Sequence, residues 1–426
     1  MIAIISLLVL VIAIYIGFQR GINTGLVSIT GAYILGFFVL EMNEKLGKAV
    51  PLSDPANKFK TLVAGWPNSL FFILLGMTLL FSIAKVNGTL GLLARKSARM
   101  AGGNKKLIPI IFFILATVIA AVGPGNIAVC ALLLPIAMSV AHEEHISALL
   151  MAAMVIAGSN AGGLSPLAPT GIIGVNLSTA IGLENMGMRI FINMVIAQVI
   201  IALALYFLLG GYKLSSGRGE GKREALEAFD SKQKTTMFII LLVVIGVIVF
   251  NAHLGFAGFT GATILLLLRA AEEKDAIYNV PWSTLLLISG VGVLVNVVSI
   301  AGGITTLTDG LATFMNSRTA APIMTIIGGL MSSVSSASGV VMPTLIPTVP
   351  GLIEKMGGAV SASALVSAII IGAHMVTNSP LSTLGALAMA SAGDEVDKGK
   401  LFRELLILGF GGILFGAVIV FLGIVR

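Results

Sequence analysis

Apolar runs of bilayer-spanning length recur from one end of this chain to the other, and they leave it few possible folds. A helix needs roughly 20 apolar residues to cross the hydrocarbon of a membrane. Such runs fall near 1–18, 21–41, 66–86, 146–182, 187–210, 236–253, 256–271, 283–303, 360–392 and 401–425. Of the 426 residues only 11% are charged and 57% are hydrophobic, against about 25% charged in soluble domains. A soluble core cannot hide so many spans. In lipid, backbone polar groups must be paired within helices or closed barrels, so the sequence predicts an all-α polytopic membrane protein. Met1 to Phe18 lack a basic leader and a small-residue cleavage site, and are read as a retained span.

Two further segments, 107–142 and 319–355, are apolar but broken in the middle, at Gly123-Pro124-Gly125-Asn126 and at Ser335-Ser336-Ala337-Ser338-Gly339. Each half is too short to cross alone, so both are read as re-entrant hairpins. Irregular backbone at that depth is tolerated only where it lines a protein cavity. The spans 146–182 and 360–392 are also interrupted.

The net charge of +7 does not point to nucleic acid, because the bases sit in short loops, where they set membrane orientation. Ten crossings with an external N-terminus put Arg20, Lys85, Arg95, Lys96, Arg99, Lys105, Lys106, Lys213, Arg218, Lys222, Arg223, Lys232, Lys234, Arg269, Lys274, Lys398, Lys400 and Arg403 inside. That is 18 of the 26 bases. Four of the others (Lys45, Lys48, Lys58 and Lys60) share one long loop. This layout fits a bacterial cytoplasmic (inner) membrane; the reversed topology has the poorer charge bias. Residues 211–235 form the polar linker between halves, solvated, with Lys222 to Glu227 as a candidate surface helix.

The two halves, 1–210 and 236–426, match at a shift of 214: Pro67 with Pro281, Gly76 with Gly290, Gly88 with Gly302, Ser165-Pro166-Leu167 with Ser379-Pro380-Leu381, and Gly171 with Gly385. Leu134-Pro135 matches Ile346-Pro347 at a shift of 212. Five crossings and one hairpin per half make the second copy enter upside down. The expectation is two inverted repeats whose broken helices meet near the midplane, where such transporters hold their solute.

Four breaks should then converge: Gly123 to Ile127, Ser159 to Thr170, Ser335 to Gly339, and Thr377 to Thr383. Helix starts offer unpaired N–H groups and a positive dipole end, which attract anions. Prolines 124, 166, 169, 343, 347 and 380 help to break the helices. The candidate solute contacts are Gly125, Asn126, Ser165, Pro166, Ser336, Ser338, Asn378, Ser379 and Pro380. Neutral oxygens suit Na⁺, and its candidate ligands are Asn126, Ser159, Asn160, Ser338, Thr377 and Ser379. No Asp or Glu lies in the spans near the breaks, which favours an anionic solute over a cationic one. His374, on an apolar span, is either a packing residue or a proton-sensitive contact. His142 and His145 flank Glu143 and Glu144 in a loop and read as solvated surface. Cys130 stands alone, which excludes an intramolecular disulfide. No cofactor is expected beyond a coupling ion.

At these residues the chain resembles the ion transporter superfamily, and most closely the divalent-anion:sodium symporters and MatC-type dicarboxylate carriers. In those symporters each hairpin tip carries Ser-Asn-Thr ten residues before a proline. Gly125-Asn126-Ile127 before Pro135 and Ala337-Ser338-Gly339 before Pro347 occupy these places. Gly162-Gly163-Leu164-Ser165-Pro166 matches part of the family's Gly-Gly-x-x-Thr-Pro stretch, and Ser379 to Thr383 is its looser counterpart. The resemblance implies an elevator-type homodimer carrying di- or tricarboxylates, usually with Na⁺. In it Asn126 contacts a carboxylate, and Ser165 and Ser379 lie beside cation sites. Proton-coupled transport of gluconate, citrate or an oxyanion is the alternative within transport. An intramembrane enzyme would need an acid–base pair, and the spans offer only His374.

Overall fold

The computed structural model describes residues 1–40, 62–63, 65–98, 104–214, 227–393 and 395–425. The loop bearing Lys45, Lys48, Lys58 and Lys60, and most of the linker with Lys222 to Leu226 of its candidate surface helix, lie outside the described residues. Among the described residues the regular structure is helical throughout, and eight helices are long and apolar enough to cross a membrane.

The first half runs α1 (Ile2–Arg20), α2 (Thr24–Ile34, continued by a π-turn to Leu40), α3 (Asn68–Val86), α4 (Thr89–Ala98), α5 (Leu107–Val122), α6 (Gly125–Glu143), α7 (Ala148–Gly163), α8 (Pro169–Ala180) and α9 (Met186–Leu208). The second runs α10 (Ser231–Phe250), α11 (Leu254–Leu267), α12 (Glu273–Tyr278), α13 (Trp282–Ile300), α14 (Gly303–Ala312), α15 (Ala320–Ser332), α16 (Ala337–Lys355), α17 (Ala362–Met375), α18 (Thr383–Ser391) and α19 (Lys398–Phe421). The short helices α4, α12 and α14 were not legible as spans, being too short and too polar to register as apolar runs. Gly88 (φ 75°) and Gly302 (φ 77°) both turn left-handed just before α4 and α14.

Local chemistry sets most boundaries. Asn23 Oδ1 accepts the Gly25 N–H at 2.9 Å, Ser147 Oγ the Leu150 N–H at 3.4 Å, and Asp397 Oδ1 the Lys400 N–H at 2.9 Å. Asp230 and Gln233 form a reciprocal capping box at the head of α10. In α16, Pro343, Pro347 and Pro350 each remove an N–H donor. The run accordingly passes through π, α, 3₁₀ and α turns instead of one regular helix. The break before it occupies residues 333–336, two positions ahead of the Ser335–Gly339 stretch.

Polarity is arranged for lipid. Ile4, Leu8, Val11, Ile248, Phe250, Ile407 and Leu414 are exposed on α1, α10 and α19, whereas Ser159, Asn160, Ser379 and His374 are buried. Of the most apolar stretch of α10 only 17% is buried, against 83% for the run from α17 to α18. The broken helices are thus at the centre and α10 is at the rim.

Helices α5, α6, α7 and α9 pack together, as do α15, α17 and α19, and α9 also joins α17. Separately, α3 packs on α11 and α13 on α2. A smaller apolar core built from α1, α2 and residues 291–298 of α13 stands apart from the main one. Several loops are tied at their ends. Lys105 Nζ donates to the Glu144 carbonyl at 2.8 Å and lies 3.5 Å from Glu144 Oε2, so the α5–α6 pair begins and ends at one place. His142 Nδ1 is 3.8 Å from Glu395 Oε1, Lys355 Nζ is 2.8 Å from Asp309 Oδ1, and Asn23 Nδ2 donates to the Ser283 carbonyl at 2.7 Å.

Candidate functional site

The turn between α5 and α6 is built on glycine. Gly123 (φ 154°) and Gly125 (φ 78°) hold conformations that a side chain disfavours. A methyl group on Gly123 would also run into the Phe81 ring. Pro124 between them cannot continue the helix ladder, so α6 starts afresh at Gly125. This start meets a second one: a methyl group on Gly125 would stand 2.9 Å from Pro169 Cδ, at the first residue of α8. The tip also rests on the end of α7, where a methyl group on Gly163 would be 2.9 Å from Asn126 Cβ.

A buried chain of amides and hydroxyls links three of the breaks. Thr170 Oγ1 donates to Asn126 Oδ1 at 3.4 Å, and Asn126 Nδ2 donates to Asn160 Oδ1 at 3.1 Å. Asn160 Nδ2 in turn donates to Thr377 Oγ1 at 2.7 Å, whose hydroxyl donates to the His374 carbonyl at 2.8 Å. Residues from both halves of the chain therefore share one network. Ser159, one position earlier, donates to the Ile156 carbonyl at 2.9 Å and pairs with the Cys130 thiol at 2.9 Å.

Beside this network opens a cavity of about 450 Å³, in the size range of small-molecule sites. Gly125, Asn126 and Ile127 of α6, Pro169 and Thr170 of α8, and Ser338 of α16 line it, so three helix starts border one space. Their first-turn N–H groups lack the backbone acceptors of a continuing helix; Ile127 N is capped by Asn126 Oδ1 at 3.0 Å and Gly339 N by Ser336 Oγ at 3.1 Å. The remaining wall is mostly aliphatic and aromatic, from Leu74, Phe81, Leu132, Ile173, Leu285 and Ile288, with Thr78, Ser82, Lys85, Asn279 and Thr284 as its further polar members. The cavity thus lies between α3 and α13 on one side and the α6 and α8 starts on the other.

Of the solute candidates, Gly125, Asn126 and Ser338 border this cavity. Ser165 Oγ accepts the Leu167 N–H at 3.2 Å, and Ser379 Oγ accepts the Leu381 N–H at 3.3 Å, so both are engaged in their own turns. Ser336 caps Gly339 N at 3.1 Å. Pro166 and Pro380 sit in those same turns, away from the cavity lining. Asn378 is buried, and its Oδ1 has no partner among the described residues. Of the Na⁺ candidates, Asn126, Asn160 and Thr377 are joined by hydrogen bonds, Ser159 is next to them in sequence, and Ser338 and Ser379 lie outside that chain of bonds. His374 Nδ1 bonds the Ile370 carbonyl at 2.7 Å, while its buried Nε2 has no partner among the described residues. His142 is exposed, with its Nδ1 3.8 Å from Glu395 Oε1. Among the described residues no group of three His, Cys, Asp or Glu could hold a metal.

The cavity residues of α3 and α13 were missed. Thr78, Ser82 and Lys85 follow helical spacing along α3, a polar stripe in an otherwise apolar span, and that stripe was readable.

Exposed apolar faces, buried polar junctions and eight span-length helices define a multi-pass membrane protein with a solute-sized internal site. Its N-terminal part has a recognisable kinship. Residues 1–163 match the family described as dicarboxylate carrier protein MatC N-terminus, which bears out the resemblance to MatC-type carriers. Over 389 residues the chain is 22% identical to the 46 kDa membrane protein of Mycobacterium leprae (strain TN), covering 86% of this chain and 84% of that one.

Proposed function

We propose that this chain is a secondary active transporter of small di- or tricarboxylate anions, coupled to Na⁺ and working by elevator-type alternating access. The observation that carries it is the meeting of three helix starts, α6, α8 and α16, on one cavity whose lining, among the described residues, contains no carboxylate side chain. Such starts favour negative charge through their orphan N–H groups and dipoles, and Asn126 and Thr170 add neutral donors. The match of residues 1–163 to a dicarboxylate carrier family supports the same solute class. The largely apolar wall disfavours a polyhydroxylated anion such as gluconate, whose hydroxyls would be buried without partners.

Paired local structures support the inverted repeat. Gly158 packs on the Phe113 carbonyl and Gly372 on the Thr325 carbonyl, and Gly171 and Gly385 press on the carbonyls of Ser165 and Ser379. The tied loops support the ten-crossing layout, since Lys105 and Glu144, His142 and Glu395, and Asn23 and Ser283 each fall on one side in it. The amide–hydroxyl chain through Asn160 and Thr377 supplies neutral oxygens beside the anion site, which suits a coupling Na⁺. A bacterial inner-membrane homodimer is the assembly this reading entails.

The test is uptake of a labelled carboxylate panel into proteoliposomes under imposed Na⁺ or proton gradients. Na⁺-driven accumulation of a dicarboxylate is expected. Uptake driven only by protons would remove the sodium assignment, and conversion of a substrate without any gradient would remove transport itself.

A further inference from the structure

Among the described residues lining the cavity, Lys85 is the only charged side chain. It stands in the last turn of α3, and its ammonium group has no hydrogen-bond or ion-pair partner among the described residues. A lysine at a helix end in a membrane protein is ordinarily an interfacial anchor that snorkels to the headgroups. Here its helix face bears Thr78, Phe81 and Ser82, all of which line the same space. Phe81 touches the Gly123 turn, and Lys85 lies about 6 Å further along the α3 axis, four residues at helical rise. Its backbone is therefore about one helical turn beyond the residue that meets the Gly123 turn, and its ammonium group, on a flexible four-carbon stem, borders the same cavity as the α6 start.

The position has an electrostatic rationale. Helix α3 ends at Val86, so its carbonyl-rich, negative pole comes to the mouth of a cavity whose inner end is rimmed by positive helix starts. The Ile83 and Lys85 carbonyls accept the Asn87 and Gly88 N–H groups. The pole of the helix dipole nevertheless stays negative and repels an anion, and a cation in that last turn reverses the sign. The cavity then has two electropositive regions separated by an apolar wall: N–H groups at Gly125, Asn126 and Thr170 inside, and an ammonium group at the mouth. A solute with a carboxylate at each end and an apolar middle satisfies both; a monocarboxylate satisfies one.

Resting on the reading of this cavity as the carboxylate site, we propose that Lys85 is the residue that selects dianions, by engaging the second carboxylate of a substrate whose first carboxylate lies on the helix starts. The first carboxylate alone is common to mono- and dicarboxylates, so the lysine determines the ratio of their affinities and not binding as such.

The experiment measures binding of a straight-chain dicarboxylate and of the monocarboxylate of equal length to the purified full-length protein and to Lys85→Gln and Lys85→Arg. Loss of a charge-assisted contact should weaken the dicarboxylate about tenfold or more. The monocarboxylate should stay within about twofold in Lys85→Gln, and Lys85→Arg should retain most of the preference. Lys85 is exposed at a helix end, and substitutions of that kind rarely unfold a protein; if Lys85→Gln is not recovered folded, Lys85→Met makes the same comparison. An unchanged affinity ratio in a folded variant, with the wild type binding dicarboxylates, overturns this inference and leaves the proposed function standing. Equal loss of both ligands assigns Lys85 a structural or steering role and also overturns it. If the wild-type protein binds none of the panel, the carboxylate reading and this inference fall together.

Discussion

At the scale of single residues, Asn126 carries the most weight. It is 8% exposed, yet it borders the cavity, caps Ile127 N through Oδ1 at 3.0 Å and donates to Asn160. Its amide therefore joins the solute space to the buried network. Asn126→Ala should weaken dicarboxylate binding by about tenfold or more, from the loss of a contact to a charged group and of a partner for Asn160. Isothermal titration with the purified protein reads this directly, and a dissociation constant within error of wild type would remove Asn126 from the site. Thr377 is a candidate ligand for the proposed coupling Na⁺. Its hydroxyl is the acceptor for Asn160 Nδ2, so Thr377→Val keeps the shape and deletes the oxygen. The Na⁺ concentration for half-maximal uptake should rise roughly fivefold, corresponding to a hydrogen-bond-sized loss of about 1 kcal/mol. A flat Na⁺ response would move the ion elsewhere.

At the scale of elements, each broken helix depends on one close approach. In the turn between α7 and α8, Gly171 presses on the Ser165 carbonyl, and in the turn between α17 and α18, Gly385 presses on the Ser379 carbonyl. A methyl group at either position would overlap an oxygen that cannot move without opening the turn. Gly171→Ala and Gly385→Ala should each destabilise the fold by about 1–3 kcal/mol, the usual cost of overpacking, seen as a lower midpoint in a thermal unfolding scan in detergent. A change at one glycine only would mean that the two turns are not built alike. The sequence made these breaks legible because proline and glycine act locally: Pro124, Pro166, Pro169 and Pro380 mark the interruptions whatever surrounds them. It could not show that Ser165, Ser336 and Ser379 are occupied with their own turns, because a serine in a break looks the same whether it faces a solute or caps its neighbour. Nor did it single out α3 as a cavity wall, since Thr78 and Ser82 also satisfy themselves on backbone carbonyls, as small hydroxyls in apolar helices often do.

At the scale of the whole molecule, the position of the cavity matters more than its content. One wall belongs to α3 and α13, which pack on α11 and α2, and the other to helix starts held in the cluster around α7 and α17. A solute whose first carboxylate is held by the second group could be carried past the first, parting from Lys85 of α3, if the clusters slid against each other. It would then face opposite sides of the membrane in turn while keeping its helix-start contacts. Ala131, on the cavity-facing side of α6 and exposed there, gives a position from which to watch. The single native thiol, Cys130, is fully buried against Ser159 and should stay silent. Ala131→Cys should therefore react with a membrane-impermeant maleimide from the face on which Lys85 and Asn279 lie, and a saturating dicarboxylate should slow that reaction. Under turnover conditions with Na⁺ the same thiol should also become reactive from the opposite face. Reactivity confined to one face, with and without substrate and Na⁺, would show that this wall does not travel and would rule out the elevator.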